Sequence, residues 1–153
     1  RFHPQAVEAG LAAIRAGRNI LVDVGMAAAG VSAHLLAPFG GRVLCRVGEP
    51  ETAALARANN TTRSDAAMTR ATGDNIGIVA IGNAPTALLK VMDLIERRLL
   101  APNLVIGVPV GFVNAAESKE LLAAKNYPFI TALGRKGGTP VAVAAVNALL
   151  RLA

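Results

Sequence analysis

The chain has 153 residues, including 16 Lys and Arg against 10 Asp and Glu, and its formal net charge is +6 at pH 7. Hydrophobic residues make up 53% and charged residues 17%, a composition that excludes an intrinsically disordered chain. The length fits one domain, residues 1–153, with a sizeable core. The single cysteine, Cys45, excludes a disulfide scaffold and a cysteine-built zinc site. We expect it to be a buried thiol in a reducing compartment, the cytoplasm.

The start of the chain and its charge limit the classes of partner. Because the sequence opens at Arg1 without a signal peptide, we expect an N-terminally incomplete piece of a longer protein. No apolar stretch approaches the roughly 20 residues of a membrane span. The positive charge indicates an anionic partner. The few aromatic residues are not interleaved with Lys or Arg, which argues against nucleic acid and leaves a polyanionic small molecule.

Short apolar runs recur between stretches of helical period, a pattern typical of repeated strand–helix units and a mainly parallel sheet. None alternates cleanly between apolar and polar residues, as expected when helices cover both faces. The sequence therefore predicts an α/β fold, a three-layer α/β/α sandwich around five strands. These strands are predicted at residues 19–24, 42–47, 76–81, 103–108 and 128–133.

Helices are predicted from apolar spacing and from capping residues. In the first, Val7, Leu11 and Ile14 are expected on one buried face, with Gly17 ending the helix. Further helices are predicted at residues 50–59, 64–72 and 84–100, after Asn114, and from Thr139 to 150.

Local signals give more detail for three of these helices. Helix 84–100 is expected to bury a stripe formed by Leu88, Met92, Ile95 and Leu99. Asn114 and Glu117 have the spacing of a capping-box variant. Thr139, followed by a proline, is the expected cap of the last helix.

Ligands of open parallel sheets bind beyond the carboxyl ends of the strands. The segments that follow the predicted strands are rich in Gly, Asn, Ser and Thr. Glycines there let backbone amides approach a ligand, and helix N-termini favour negative charge. We therefore expect a ligand rich in carboxylates or phosphates at this end of the sheet.

Each candidate also has a purely structural interpretation. Asn83 and Thr86 are candidates either to cap the helix predicted at 84–100 or to bind a ligand. Arg63, in a polar cluster at a helix start, is equally a solvated charge or an anion clamp. The sequence has neither a phosphate-binding loop nor a dinucleotide fingerprint, so nucleotide binding is weakly supported.

The histidines do not identify a reaction. His3 lies at the boundary of the first helix and His34 in a predicted loop, and neither has a base or nucleophile beside it in the sequence. Residue spacing alone therefore does not identify a reaction.

Four long motifs carry a resemblance to a known family. They are NTTRS at 60–64, IGNAPTAL at 81–88, IGVPVGFVNAAESK at 106–119 and GRKGGTPVAVAAVNAL at 134–149. With these motifs in this order, the chain resembles the precorrin-8X methylmutase (cobalt-precorrin-8 methylmutase) family from Phe2 to about residue 150. The resemblance implies a flavodoxin-like sheet of order 2-1-3-4-5.

The resemblance also implies an activity in corrin (vitamin B12) biosynthesis. A methyl group moves from carbon 11 to carbon 12 of precorrin-8X, or of its cobalt form, without a metal, nucleotide or redox cofactor. The substrate is a polycarboxylate corrinoid, and the family generally works as a homodimer. By motif, Arg63 is the best candidate to pair with a substrate carboxylate. Lesser hydrogen-bonding candidates are Ser32, Ser64, Asn83 and Thr86.

The chain departs from the family in two respects. The family's catalytic histidine belongs to a segment upstream of the match at residues 2–10, so no catalytic residue is assigned in this chain. Ala33 stands where a basic residue is common, which weakens the case for Ser32. The leading hypothesis is an isomerase, the second is a non-catalytic corrin carrier, and the third is a generic anion- or nucleotide-binding module.

Overall fold

The computed structural model describes residues 1–153 as a three-layer α/β/α sandwich. The strands are β1 (Asn19–Val22), β2 (Val43–Leu44), β3 (Ile76–Ile81), β4 (Leu104–Gly107) and β5 (Phe129–Thr131). All pairings are parallel, in the order β2-β1-β3-β4-β5. This confirms the predicted fold class and strand order.

Eight α-helices connect and cover the strands. They are α1 (Ala6–Arg15), α2 (Gly25–Gly30), α3 (Ala33–Leu36), α4 (Pro50–Ala58), α5 (Arg63–Arg70), α6 (Pro85–Glu96), α7 (Ala115–Ala123) and α8 (Thr139–Leu152). A 3-10 turn, Ala37–Phe39, follows α3. The prediction that His34 lies in a loop is therefore wrong, because that residue lies in α3. No helix combines the length and apolar character needed to cross a membrane.

The strands alternate between two apolar layers. In β3, Ile78 and Ala80 pack in the layer under α1 and α8, whereas Val79 and Ile81 pack in the layer under α5 and α6. Both sets are apolar because both faces are covered, which explains the absence of alternation in the sequence.

β3 has the predicted bounds, whereas the other four strands are shorter than predicted, most clearly at the sheet edge. β2 has two residues where six were predicted. Beyond it, Arg46 turns away to pair with Glu49 and Asp74, and its carbonyl accepts from the hydroxyl of Thr52 at 2.7 Å. Cys45 lies in this departing segment and is partly rather than fully buried.

Two apolar positions were wrongly assigned to the core. Val7 is 43% exposed, whereas Leu11 and Ile14 are buried as expected. Helix α6 ends at Glu96, and Arg98 then adopts a left-handed conformation with φ of 58°. The early end leaves Leu99 47% exposed and turns Leu100 inward.

The predicted side-chain caps are also wrong. Asn114 has a left-handed backbone, φ 62°, and its side chain makes no capping hydrogen bond. Thr139 is the first helical residue of α8 rather than its cap, and Gly138 precedes it as the N-cap. Helix α5 instead has a side-chain cap from Thr62, which accepts from the amide of Asp65 at 3.0 Å.

Candidate functional site at the carboxyl edge

The loops at the carboxyl ends of β1, β3, β4 and β5 meet on one side of the sheet. We call this side the carboxyl edge and define it by residues 23–25, 82–84, 108–114 and 132–138. Its loops are packed together closely: a Cβ on Gly82 would lie 2.6 Å from the Cα of Thr139, and the amide of Gly138 donates to the carbonyl of Val108 at 2.8 Å. Glycine at position 82 therefore brings the end of β3 against the start of α8.

Asp23 organises the centre of the carboxyl edge. Its side chain is fully buried, and Oδ1 accepts from the amide of Gly82 at 3.2 Å. Oδ2 accepts from the amides of Asn83 and Ala84, each at 2.8 Å. The carboxylate thus satisfies the amides that precede helix α6, as a bound anion would. Those amides are already paired and are not free to hold a phosphate.

This arrangement corrects the proposed capping role of Asn83 and Thr86. The N-cap of α6 is Ala84, with no side-chain capping bond, and the neighbouring amides are satisfied from β1. The side chain of Asn83 is exposed and makes no hydrogen bond within the protein. It is therefore available to a ligand.

The candidate residues from the sequence lie in two places. Arg63, Ser64, Asn83 and Thr86 lie where the starts of α5 and α6 meet, and Ser32 lies against α8. Thr62, directly before Arg63 and Ser64, has its Oγ1 3.5 Å from the Oγ1 of Thr86. This contact joins the start of α5 to the first turn of α6, next to Asn83. The amide of Ser32 donates to Oδ1 of Asn147 in α8 at 2.8 Å.

Arg63 is exposed at the first position of α5, and no acidic group lies within 4.0 Å of its side chain. It lines a cavity of about 490 Å³ together with Asn60 and Thr61. An unpaired guanidinium beside polar side chains is suited to binding a carboxylate.

Two buried charged residues, Asp23 in the carboxyl edge and Lys119 next to it, were noted in the sequence only as members of their segments, without an individual role. Asp23 directly follows an apolar strand, and this position is the one signal that could have identified it. Lys119 is fully buried, and its Nζ donates to the carbonyl of Lys136 at 2.7 Å. Burial lowers the pKa of Lys119. Because Lys119 and Lys136 lie far apart in the sequence, no local pattern predicts this hydrogen bond.

A second, larger cavity, about 650 Å³, lies at the opposite end of the sheet, beside Asn19 and Asn75. Its polar side chains are largely paired already. Arg46 bonds to Asp74 and Glu49, and Asn19 donates to the carbonyl of Asp74 at 2.7 Å. We therefore place the candidate site at the carboxyl edge and the adjoining start of α5, where Asn83 and Arg63 remain unpaired. No group of three or more His, Cys, Asp or Glu side chains could hold a metal ion.

Fold and site together define a doubly wound α/β protein with unpaired cationic and polar side chains at and beside the carboxyl edge. The family model for CbiC, precorrin-8X methylmutase, matches residues 1–152. The chain belongs to the precorrin-8X methylmutase family.

Curated relatives match almost the whole chain. It is 47% identical to the cobalt-precorrin-8 methylmutase of Priestia megaterium, covering 99% of this chain and 68% of that protein. It is 45% identical to the precorrin-8X methylmutase of Pseudomonas aeruginosa, covering 97% of this chain and 73% of that one.

Solved structures show the same fold. The precorrin-8x methyl mutase of Thermus thermophilus is 47% identical, with a TM-score of 0.89 over 99% of this chain and 74% of that one. A precorrin-8X methylmutase related protein is 33% identical, with a TM-score of 0.91 over 100% of this chain and 80% of that chain.

Proposed function

We propose that this protein binds a corrinoid of the precorrin-8X type at its carboxyl edge and moves a methyl group from carbon 11 to carbon 12. Family membership makes it an isomerase of corrin biosynthesis. The observation that carries the proposal is the match over 99% of the chain at 47% identity to a cobalt-precorrin-8 methylmutase. Names of relatives include both the cobalt and the precorrin form, so the proposal covers both substrates.

We propose that Arg63 pairs with a carboxylate of the macrocycle, since it is exposed and has no acidic partner. Asn83, Ser64 and Thr86 lie on the adjoining turns of α5 and α6 and supply hydrogen bonds. Ser32 supplies a further one from the side of α8. Asp23 stays out of direct binding, because its oxygens are occupied by backbone amides.

Neither histidine of the chain is proposed as the catalytic acid. The ring of His3 packs edge-on against Phe129 at 5.8 Å, and its Nδ1 accepts from the amide of Gln5 at 3.2 Å. His34 is exposed on α3. We propose, as the resemblance implies, that the catalytic histidine belongs to a segment before residue 2.

The test of the activity is conversion of precorrin-8X by the full-length protein. We expect the absorption spectrum to change to that of hydrogenobyrinate. Tight binding without a spectral change would instead support a non-catalytic corrin carrier. Stabilisation by flavin or nucleotide but not by hydrogenobyrinate would support the generic anion-binding module.

Arg63→Ala tests the binding surface. Loss of a charge-assisted hydrogen bond should weaken hydrogenobyrinate binding by roughly 1 to 3 kcal/mol. Arg15→Ala is the matched control, because Arg15 is an exposed arginine at the far end of α1. Equal affinity of the Arg63 variant and the control, with both folded, would remove Arg63 from the site.

We propose further that the protein forms a homodimer through apolar side chains of the carboxyl edge, with the corrinoid site at or near the subunit interface. Apolar side chains there are unusually exposed: Phe112 by 85%, Val113 by 77% and Leu133 by 51%. Exposed apolar clusters of this kind are typical of protein–protein interfaces. Sedimentation should give a dimer for the native protein and an increased monomer fraction for Phe112→Glu. A native monomer would contradict the proposal.

A cytoplasmic location is also proposed. It is supported by membership of a family of corrin-biosynthesis enzymes. Cell fractionation should recover the protein with cytoplasmic markers, and recovery elsewhere would contradict it.

A further inference from the structure

The segment 134–138, which we call the basic loop, is held in place along its backbone. The carbonyl of Arg135 accepts from the amide of Gly111 at 3.3 Å, and the amide of Gly138 donates to the carbonyl of Val108. Gly137 has φ of 159°, and a Cβ on it would lie 2.2 Å from the oxygen of Val108. Only glycine allows this approach, so the path of the basic loop is tightly defined.

The side chain of Lys119 makes a further hydrogen bond to the backbone of the basic loop. Its ammonium group is fully buried, donates to the carbonyl of Lys136 at 2.7 Å, and has no carboxylate within 4.0 Å. A buried cation without a counter-ion is unfavourable for folding. Its one contact fixes the carbonyl between the two basic side chains of the loop. The arrangement therefore favours a role in positioning that loop.

The side chains of Arg135 and Lys136 project from this fixed backbone and are exposed. Neither has an acidic partner within 4.0 Å. The guanidinium of Arg135 lies 5.6 Å from the ring centroid of Phe112, within the range of a cation–π contact. Apolar atoms of both residues line a cavity of about 330 Å³ whose other walls are Val110, Gly111 and Phe112. The nearest exposed acid in sequence is Glu120 of α7.

We propose that Arg135 and Lys136 bind peripheral carboxylates of the corrinoid, and that Lys119 is a positioning residue that presents them. This inference rests on the proposed function and adds a second set of cations to Arg63. The apolar wall beside the two cations suits a ligand that is apolar in its ring and acidic at its rim. The fixed backbone lowers the entropy lost when the two side chains engage the ligand.

The experiment measures binding of hydrogenobyrinate to the full-length protein and to Arg135→Gln, Lys136→Gln and the control Arg15→Gln. Loss of one charge-assisted bond should weaken affinity about tenfold in each loop variant and leave the control within about twofold. With precorrin-8X as substrate, KM should rise while kcat is retained, because the contact is the same in ground and transition states.

Lys119→Met tests the positioning role. We expect weaker hydrogenobyrinate binding together with an unchanged or higher melting temperature, because the substitution removes an unpaired buried charge. A merely structural lysine would lower stability and leave the affinity of the folded fraction unchanged. If this variant does not fold, Arg135→Gln and Lys136→Gln decide the inference, since both change exposed side chains.

The outcomes separate the two proposals. If the native protein does not bind hydrogenobyrinate, the proposed function fails. If it binds, and both loop variants bind as tightly as the Arg15 control, the assignment of the basic loop is overturned while the proposed function stands.

Discussion

Replacing Asp23 by alanine tests the structural centre of the carboxyl edge. The carboxylate is fully buried and accepts from the amides of Gly82, Asn83 and Ala84. Asp23→Ala would leave two buried amides and one partly exposed amide without partners. At about 1–3 kcal/mol for each buried unsatisfied donor, we expect a loss of about 3–5 kcal/mol in the free energy of unfolding. That is a large share of the roughly 5–15 kcal/mol typical of a domain.

Asp23→Asn distinguishes the contributions of the two carboxylate oxygens to stability. The amide oxygen of asparagine can take the place of Oδ2 and retain the bonds from Asn83 and Ala84. Its NH₂ group then faces the amide of Gly82, and two donors oppose each other. Because only that one bond is lost, we expect a smaller destabilisation of about 1–2 kcal/mol.

Urea unfolding of both variants gives the required free energies by linear extrapolation. Asp93→Ala is a suitable control, because Asp93 forms only partly exposed ion pairs with Lys90 and Arg97 and such pairs contribute about 1 kcal/mol or less. A loss below about 1 kcal/mol for Asp23→Ala, or an Asp23→Asn variant less stable than the alanine variant, would refute this account.

Two further predictions concern buried groups. The hydroxyl of Tyr127 is buried without a partner, so Tyr127→Phe should raise the free energy of unfolding by up to about 1 kcal/mol in urea at pH 7. Burial raises the pKa of Tyr127. The unfolded chain loses this proton near about pH 10 while the folded chain retains it. Stability should therefore fall as the pH rises above that value, and less steeply in Tyr127→Phe. Gly82→Ala should lower the melting temperature by several degrees, because its Cβ would lie 2.6 Å from Thr139, whereas Gly25→Ala, with open space around it, should not. Equal melting temperatures for the two alanine variants would contradict this packing argument.

The strands and helices were predictable from the sequence where neighbouring residues determine them. Apolar runs and glycine-bounded segments located all five strands, and Gly17 ends α1 with φ of 67°, as expected. Strand lengths were less predictable, because β2 ends where Arg46 finds partners that come from distant positions, including Asp74. The end of α6 was missed because Leu99 and Leu100 are equally apolar in sequence, and the turn at Arg98 decides which is buried.

The candidate site was predicted in outline. The carboxyl edge followed from the parallel topology, and Arg63, Ser64, Asn83 and Thr86 do lie on adjoining turns around the contact between Thr62 and Thr86. Their roles in binding remain predictions. The capping roles considered for Asn83 and Asn114 were wrong, because a cap depends on backbone conformation and on competing acceptors such as Asp23.

The sequence by itself determined the alternation of strands and helices, the order of the sheet through its family motifs, and the edge at which a ligand is expected. These properties depend on short stretches of residues and on the connectivity rules of parallel sheets. Only the tertiary structure decided which polar groups remain available at that edge. Asp23 bonds to amides about 60 positions away, and Lys119 is tied to a carbonyl in another loop. Buried polar groups take whichever partner the packed fold brings near them, and sequence spacing does not record that choice.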